Sequence, residues 1–187
     1  MAEGDFNQYA SPKAKTQRFK MYVDVSENNS EDLELQGRGI TSWTTEQNQD
    51  VEQEEDVLGY VDNTRGNAKP QQSIDTFKFR KDSKLGKIVF DAFFSGDQTR
   101  LDNITIYQKF EFVDGTSTGT CKARKLPNSM INITSFNGEA GSDLSVAMDI
   151  YYSGEIITGT MPITDGASPT FTPDSGASVS AYSLDEE

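Results

Sequence analysis

Alternation of apolar and polar residues is the feature that most constrains how this chain can fold. Over residues 144–152 every second position is apolar, namely Leu144, Val146, Met148, Ile150 and Tyr152. Successive side chains of a β-strand point to opposite faces of a sheet, so a period of two predicts a half-buried strand. The same period recurs over 17–25, 73–80 and 103–113. A protein made mainly of antiparallel strands is therefore expected.

Turn-forming residues divide the rest of the chain into further short strands. We predict a weaker strand, broken by two glycines, over 33–44, and two separate strands at 121–125 and 130–136. A strand over 155–161 follows a Ser-Gly turn, and we predict that it pairs with 144–152 as a hairpin.

One segment has helical spacing instead. Asp82 or Ser83 can cap its start, and Ser95-Gly96 can end it. Its apolar stripe, predicted to be the core-facing side of the helix, consists of Leu85, Ile88, Val89, Ala92 and Phe93. The predicted fold is mainly β: an antiparallel β-sandwich or open barrel with one flanking α-helix.

Negative charge is concentrated over residues 45–66. The acidic residues there are Glu46, Asp50, Glu52, Glu54, Glu55, Asp56 and Asp62. The few apolar residues available for burial are Val51, Val57, Leu58, Tyr60 and Val61. A helix with a solvated acidic face and a long strand hairpin with an acidic tip both fit this pattern.

Composition argues against several classes of function. The chain has 30 acidic and 17 basic residues, no histidine and a formal net charge of -13, which opposes binding to nucleic acid phosphates or anionic membranes. The single cysteine, Cys121, cannot form an intrachain disulfide, which suits a reducing site of synthesis. The first residues have no signal-peptide pattern and no apolar run is long enough to span a bilayer, so no membrane insertion is expected.

Three patterns resemble catalytic or metal sites and are better explained by structure. Residues 115–119 match a nucleophile elbow around Ser117, but a serine nucleophile needs a base and the chain has no histidine. Carboxylate pairs could serve a glycosidase, although surface acids are mostly solvated, and the acidic run lacks the spacing of a calcium loop. We predict a hairpin turn at Ser117, and no enzyme activity, catalytic residue, metal site or cofactor.

Aromatic residues leave one alternative function open. Trp43, Tyr60, Tyr107, Tyr151 and Tyr152 could form a platform for sugars, as in a β-sandwich carbohydrate-binding or adhesin module. Aromatic residues in alternating strands are more often part of a core or a subunit interface.

Two short glycine-containing motifs carry a resemblance to a known family. They are Phe136-Asn137-Gly138-Glu139-Ala140 and Gly154-Glu155-Ile156-Ile157-Thr158-Gly159-Thr160. Together with the order of the strands and the helix, they resemble the major tail proteins of siphophages, especially phages of Gram-positive bacteria. The resemblance extends over about residues 19–172.

The resemblance implies a structural virion protein that polymerises as stacked hexameric rings into the phage tail tube, the conduit for DNA ejection. It implies an N-terminal arm (1–16), a tail-tube sandwich domain (17–163) completed by oligomerisation, and a polar C-terminal segment (164–187). Strands within 36–45 and 58–77 would lie near the lumen. The acidic residues of 45–66 would form a loop that contacts the adjacent ring.

The partners implied by the resemblance are further copies of this chain, a tape measure protein inside the tube, and the tail terminator and distal tail proteins. Double-stranded DNA would pass through without specific binding, because an acidic bore repels it. The expected location is the virion tail, with assembly in the host cytoplasm.

Overall fold

The structure, a computed structural model, describes residues 18–26, 31–37, 40–55, 57–115, 117–138, 143–152, 156–164 and 169–174. The strands are β1 (Phe19–Asp24), β2 (Leu33–Gln36), β3 (Trp43–Glu46), β4 (Val51–Glu55), β5 (Val61–Arg65), β6 (Gln71–Lys78), β7 (Ile104–Asp114), β8 (Thr120–Asn137), β9 (Ser145–Tyr151), β10 (Ile157–Pro162) and β11 (Thr172–Pro173). The helix α1 (Lys84–Ser95) lies between β6 and β7, followed by a short 3-10 turn, Thr99–Leu101. In the part of the chain that is described, no helix is long and apolar enough to cross a membrane.

The strands form an antiparallel β-sandwich, which confirms the predicted fold class. The first sheet has the strand order β2-β1-β7-β8-β10-β11, and the second has the order β8-β9-β6-β3. The long strand β8 belongs to both sheets. Its beginning pairs with β7 and β10, and its end pairs with β9.

An irregularity in β8 lets it pass from one sheet to the other. The pairing with β7 shifts between Leu126 and Ser129, and Asn128 has a positive φ of 52°. A bulge bends a strand and can accommodate a proline, which explains Pro127 at this position. The prediction of two separate strands at 121–125 and 130–136 is therefore wrong, because turn-forming residues here bend a continuous strand.

The predicted hairpin of 144–152 with 155–161 is also wrong. β9 pairs with β6 and with the end of β8, whereas β10 pairs with β11 and with the beginning of β8. The two strands follow each other in sequence but lie in different sheets. The bend in β8 gives each of them its own half of the same partner strand.

The main core lies between the sheets, and α1 contributes to it. Leu85, Val89 and Ala92 of the helix are buried in this core, and Ile88 packs against it partly buried. Phe93, predicted on the same stripe, is 44% exposed. The helix boundaries match the prediction, with the Ser83 side chain accepting a hydrogen bond from Gly86 N and Gly96 ending the helix at φ 71°.

A second, smaller core covers the outer face of the first sheet. It consists of Tyr22, Tyr107, Ala123 and Met161, with Phe171 packed against it. Strand β1, predicted to be half-buried, is consequently buried on both faces at its centre. Part of the segment predicted as a polar C-terminal tail thus packs on the domain.

We expect Gly159→Ala to displace this covering segment. A Cβ at Gly159 would lie 2.3 Å from the Thr172 carbonyl oxygen and 2.6 Å from the Phe171 ring. Overpacking of this kind costs about 1–3 kcal/mol, so the variant should unfold at lower urea and be cleaved faster near residues 169–174.

The matched control is Gly66→Ala. There the nearest atoms to a new Cβ belong to Asp50, at an ordinary 3.7 Å. Equal stability and equal protease resistance of the two variants would contradict the close approach of β10 and β11.

Candidate assembly surface

The acidic interval folds as a projecting two-stranded arm. Among the described strands, β4 and β5 pair only with each other. Hydrogen bonds from Gly66 N to Asp50 O (2.9 Å) and from Lys69 N to Gln47 O (3.0 Å) join this hairpin to the β3–β6 pair. At about 3.3 Å per residue, the arm extends on the order of 30 Å beyond β3. Of the two alternatives for this interval, the strand hairpin is the one observed.

Apolar residues of the arm are exposed to solvent, although the sequence suggested that they would be buried. These residues are Val51, Val57, Leu58, Tyr60 and Val61, of which Val57 has a relative exposure of 103%. The apolar residues 57, 58 and 60 thus occupy the described part of the tip, and Asp56, the acidic residue expected there, lies outside the described residues. All residues of β4 and β5 are exposed. A two-stranded hairpin without a packed face is marginally stable in water.

The acidic side chains of the arm are divided between its faces. Glu52, Glu54 and Asp62 share one face, because Glu54 lies directly opposite Asp62 and Glu52 is two residues along the same strand. We call this the acidic face. Like charges directly opposite each other on neighbouring strands are destabilising. The arm thus carries an unfavourable electrostatic term in isolation.

The opposite side of the arm, which we call the valine face, carries Val51 and Val61. Glu55 lies on it, directly opposite Val61. The remaining predicted ring-stacking acids lie elsewhere: Glu46 is on β3, opposite Gln71, Asp50 precedes β4, and Asp56 lies outside the described residues.

A second exposed apolar surface lies on α1. Phe90, Phe93 and Phe94, which we call the phenylalanine face, are 42%, 44% and 82% exposed. Phe93 stacks on Phe136 of β8, with the ring centroids 4.5 Å apart, and Phe90 stacks on Phe94 at 6.1 Å. This surface was not predicted from the sequence, although the i, i+3, i+4 spacing of Phe90, Phe93 and Phe94 marks a second apolar stripe beside the buried one.

The sandwich is open where its first and second sheets end in β2 and β3. These are the edge strands of the two sheets on that side. A cleft of about 390 Å³ lies there, lined in part by Phe19, Leu35 and Trp43. Gln36, buried beside it, has an amide nitrogen with no hydrogen-bond partner among the described residues. Exposed strand edges are sites at which another chain can add.

A buried cluster of charged residues lies next to the second core, on the same outer face of the first sheet. Glu111 is 1% exposed, and its carboxylate contacts Lys20 Nζ at 2.8 Å, Lys109 Nζ at 3.1 Å and Arg18 Nη1 at 3.3 Å. Lys109 also donates to the Ile163 carbonyl oxygen. Burial raises the pKa of Glu111, but the hydrogen bonds from Lys20 and Lys109 outweigh it, so the pKa lies below its ordinary value. The cluster is a structural one, since the cations surround one carboxylate and leave it no open side for a ligand.

A hydrogen-bonded network crosses the main core between the sheets. Gln108 of β7 donates to the Tyr152 hydroxyl (3.0 Å), which in turn donates to Gln72 of β6. Arg124 of β8 donates to the Gln108 side-chain oxygen at 2.5 Å. Burial raises the pKa of Tyr152 and lowers that of Arg124. Polar groups that would be costly to bury alone thus satisfy each other.

The motif around Ser117 forms the turn between β7 and β8. The Ser117 carbonyl accepts a hydrogen bond from Thr120 N (3.1 Å), and the Ser117 hydroxyl lies 3.2 Å from that of Thr120. This is the predicted hairpin turn. Within the described residues, no group of three or more His, Cys, Asp or Glu side chains is placed to hold a metal ion.

The candidate sugar platform is not assembled. Trp43, Tyr60 and Tyr151 are exposed, whereas Tyr107 and Tyr152 are buried. Trp43 packs on Phe19, with 4.9 Å between the ring centroids. The five residues therefore do not present a common binding surface.

The fold of this chain overlaps with those of several solved structures. No protein-family model and no curated protein matches the sequence. The sheath/tube terminator of an extracellular contractile injection system (PVC) overlaps with a TM-score of 0.49 at 14% identity, covering 77% of this chain and 94% of that one.

Two further structures overlap similarly. The PVC sheath-tube complex gives a TM-score of 0.47 at 13% identity, covering 81% of this chain and 95% of that one. The anti-feeding prophage tube terminating cap gives a TM-score of 0.47 at 13% sequence identity, covering 78% of this chain and 90% of that one. At these scores and identities the overlaps decide nothing about function.

We expect Glu111→Gln to lower the free energy of unfolding by about 3 kcal/mol, because it leaves the buried Lys109 ammonium without its carboxylate. Urea unfolding at neutral pH measures the loss. Asp143→Asn is the matched control, since Asp143 and Lys78 form an exposed ion pair and such pairs contribute less than about 1 kcal/mol.

The same variant should be less sensitive to acid. A carboxyl whose folded-state pKa is lowered stabilises the fold above its unfolded pKa of about 4.3, and this contribution disappears as the pH falls through the folded-state value. The stability difference between wild type and Glu111→Gln should therefore shrink below about pH 4. A difference independent of pH would contradict the ion-pair assignment.

Proposed function

We propose that this protein is the structural subunit of a phage tail tube and assembles as stacked hexameric rings that conduct DNA. The main support for this proposal is the β4–β5 arm. The arm projects from the sandwich, and both of its faces and its apolar tip are exposed to solvent. An arm of this kind gains stability only when another surface covers it. The siphophage resemblance of the sequence points to further copies of the same chain as that surface.

The open edges of β2 and β3 support lateral assembly. A single subunit leaves both edges without a neighbouring strand among the described residues. Addition of a neighbour's strands would complete the backbone hydrogen bonds and remove an aggregation hazard. Head-to-tail contacts of identical subunits close into a ring when the rotation between them closes.

Charge supports the proposed passage of DNA. The formal net charge is -13, and the arm has acids on both faces. A negatively charged bore repels the phosphate backbone, so DNA would pass without adhering, and salt would weaken that repulsion. The tape measure, tail terminator and distal tail proteins remain proposed partners on the basis of the sequence resemblance.

We expect concentrated wild-type protein to form rings or tubes in negative-stain electron micrographs. A variant in which Asn-Gly replaces residues 49–67 should fold but not assemble, because the β3–β6 pair retains its own core contacts while the arm is lost. Circular dichroism and urea unfolding check that the variant is folded.

Two results would contradict this proposal. One is wild-type protein that stays monomeric at high concentration, with or without a tail-assembly initiator. The other is retention of that monomer on a glycan array, which would favour the alternative carbohydrate-binding or adhesin module.

A further inference from the structure

We infer that the tip and valine face of the arm in one copy pack on the phenylalanine face of α1 in a second copy. This rests on the proposed function and specifies which surfaces would meet between subunits. Both surfaces are apolar and exposed, with Val57 fully in solvent at the tip and Phe94 82% exposed on the helix. Joining them removes both from water.

The contact would be heterologous, because the two surfaces are different parts of the chain. The arm lies between β3 and β6, whereas the phenylalanine face follows β6 on the helix. A contact between unlike surfaces leaves one copy with a free phenylalanine face and the other with a free arm, so it propagates to further copies. This is the type of contact that rings and filaments need.

Opposite charges accompany the two apolar surfaces. Over residues 46–65 the only basic residue is Arg65, among many acids. Over residues 78–100 the basic residues outnumber the acidic ones in this otherwise acidic chain; they are Lys78, Arg80, Lys81, Lys84, Lys87 and Arg100. Lys78, Arg80 and Lys84 pair with Asp143, Asp82 and Asp32 within the subunit, whereas Lys87 lies beside the phenylalanine face. Complementary charge favours this pairing over arm–arm or helix–helix contacts, which would place like charges together.

One pair of residues makes the arrangement specific. Lys87 is exposed and lies three and seven positions before Phe90 and Phe94, so it shares their side of the helix. Glu55 lies on the valine face, opposite Val61 and next to the tip. Seating the valine face on the phenylalanines brings Glu55 to Lys87, whereas Glu52 on the acidic face points away.

A charge exchange tests the pairing. Glu55→Lys and Lys87→Glu alone should each raise the protein concentration needed for assembly about tenfold at low salt. The double variant Glu55→Lys/Lys87→Glu should restore assembly. The matched control Glu52→Lys/Lys87→Glu should not, because Glu52 lies on the opposite face. Sedimentation followed by electron microscopy measures the threshold.

The apolar contact is tested separately. Phe94→Ser should abolish assembly without changing the urea midpoint, since the ring is exposed, and Phe94→Tyr should retain assembly because it keeps the ring. When Val57→Cys protein is mixed with Phe94→Cys protein under oxidising conditions, a disulfide-linked heterodimer should form. Val57→Cys mixed with Ser117→Cys should give none. Native Cys121 is buried and does not compete.

The outcomes separate this inference from the proposed function. Wild-type tubes combined with no rescue by the double variant and no Val57–Phe94 cross-link would overturn the inference and leave the tube intact. Wild-type protein that does not assemble, together with cysteine variants that give no cross-link, would overturn both. Rescue together with the cross-link supports the contact.

Discussion

The sharing of β8 between two sheets is the constraint on which the rest of the structure depends. A strand offers hydrogen bonds on two edges, and β8 uses its first half for β7 and β10 and its second half for β9. The bulge at Asn128 makes this possible by bending the strand without ending it. Both sheets are thereby joined through one strand, and the main core forms in the space between them.

Hydrophobic burial alone does not determine the register of the strands, and buried polar interactions help to fix it. The network of Gln72, Gln108, Tyr152 and Arg124 links residues from both sheets within the main core. On the outer face of the first sheet, Glu111 gathers cations from two neighbouring strands. Such groups are costly to bury alone and stable only in one arrangement, so they favour a single register.

Stability within the subunit contrasts with the exposure of its arm. The sandwich buries its apolar residues thoroughly, but the arm leaves its valines in water and sets Glu54 against Asp62. The phenylalanine face on α1 is exposed in the same way. A fold that is well packed in one part and incomplete in another is typical of a subunit whose remaining contacts are made by neighbours. The proposed tube accounts for both features with one kind of partner.

By itself the sequence determined the strand-rich fold and the helix with its caps. These depend on local spacing: a period of two within β9, and Ser83 and Gly96 at the ends of α1. It also located the acidic interval, but it left both a helix and a hairpin open, because the charge pattern of 45–66 has no clear period.

Only the tertiary structure decided which strands pair and which apolar residues stay in solvent. β9 and β10 are adjacent in sequence yet lie in different sheets, and Val57 and Phe94 have the same apolar chemistry as residues of the core. The local sequence pattern indicates whether a residue favours burial. It does not indicate whether the folded chain provides a surface that can cover that residue. That depends on contacts between segments far apart in the chain, which the bend in β8 brings together.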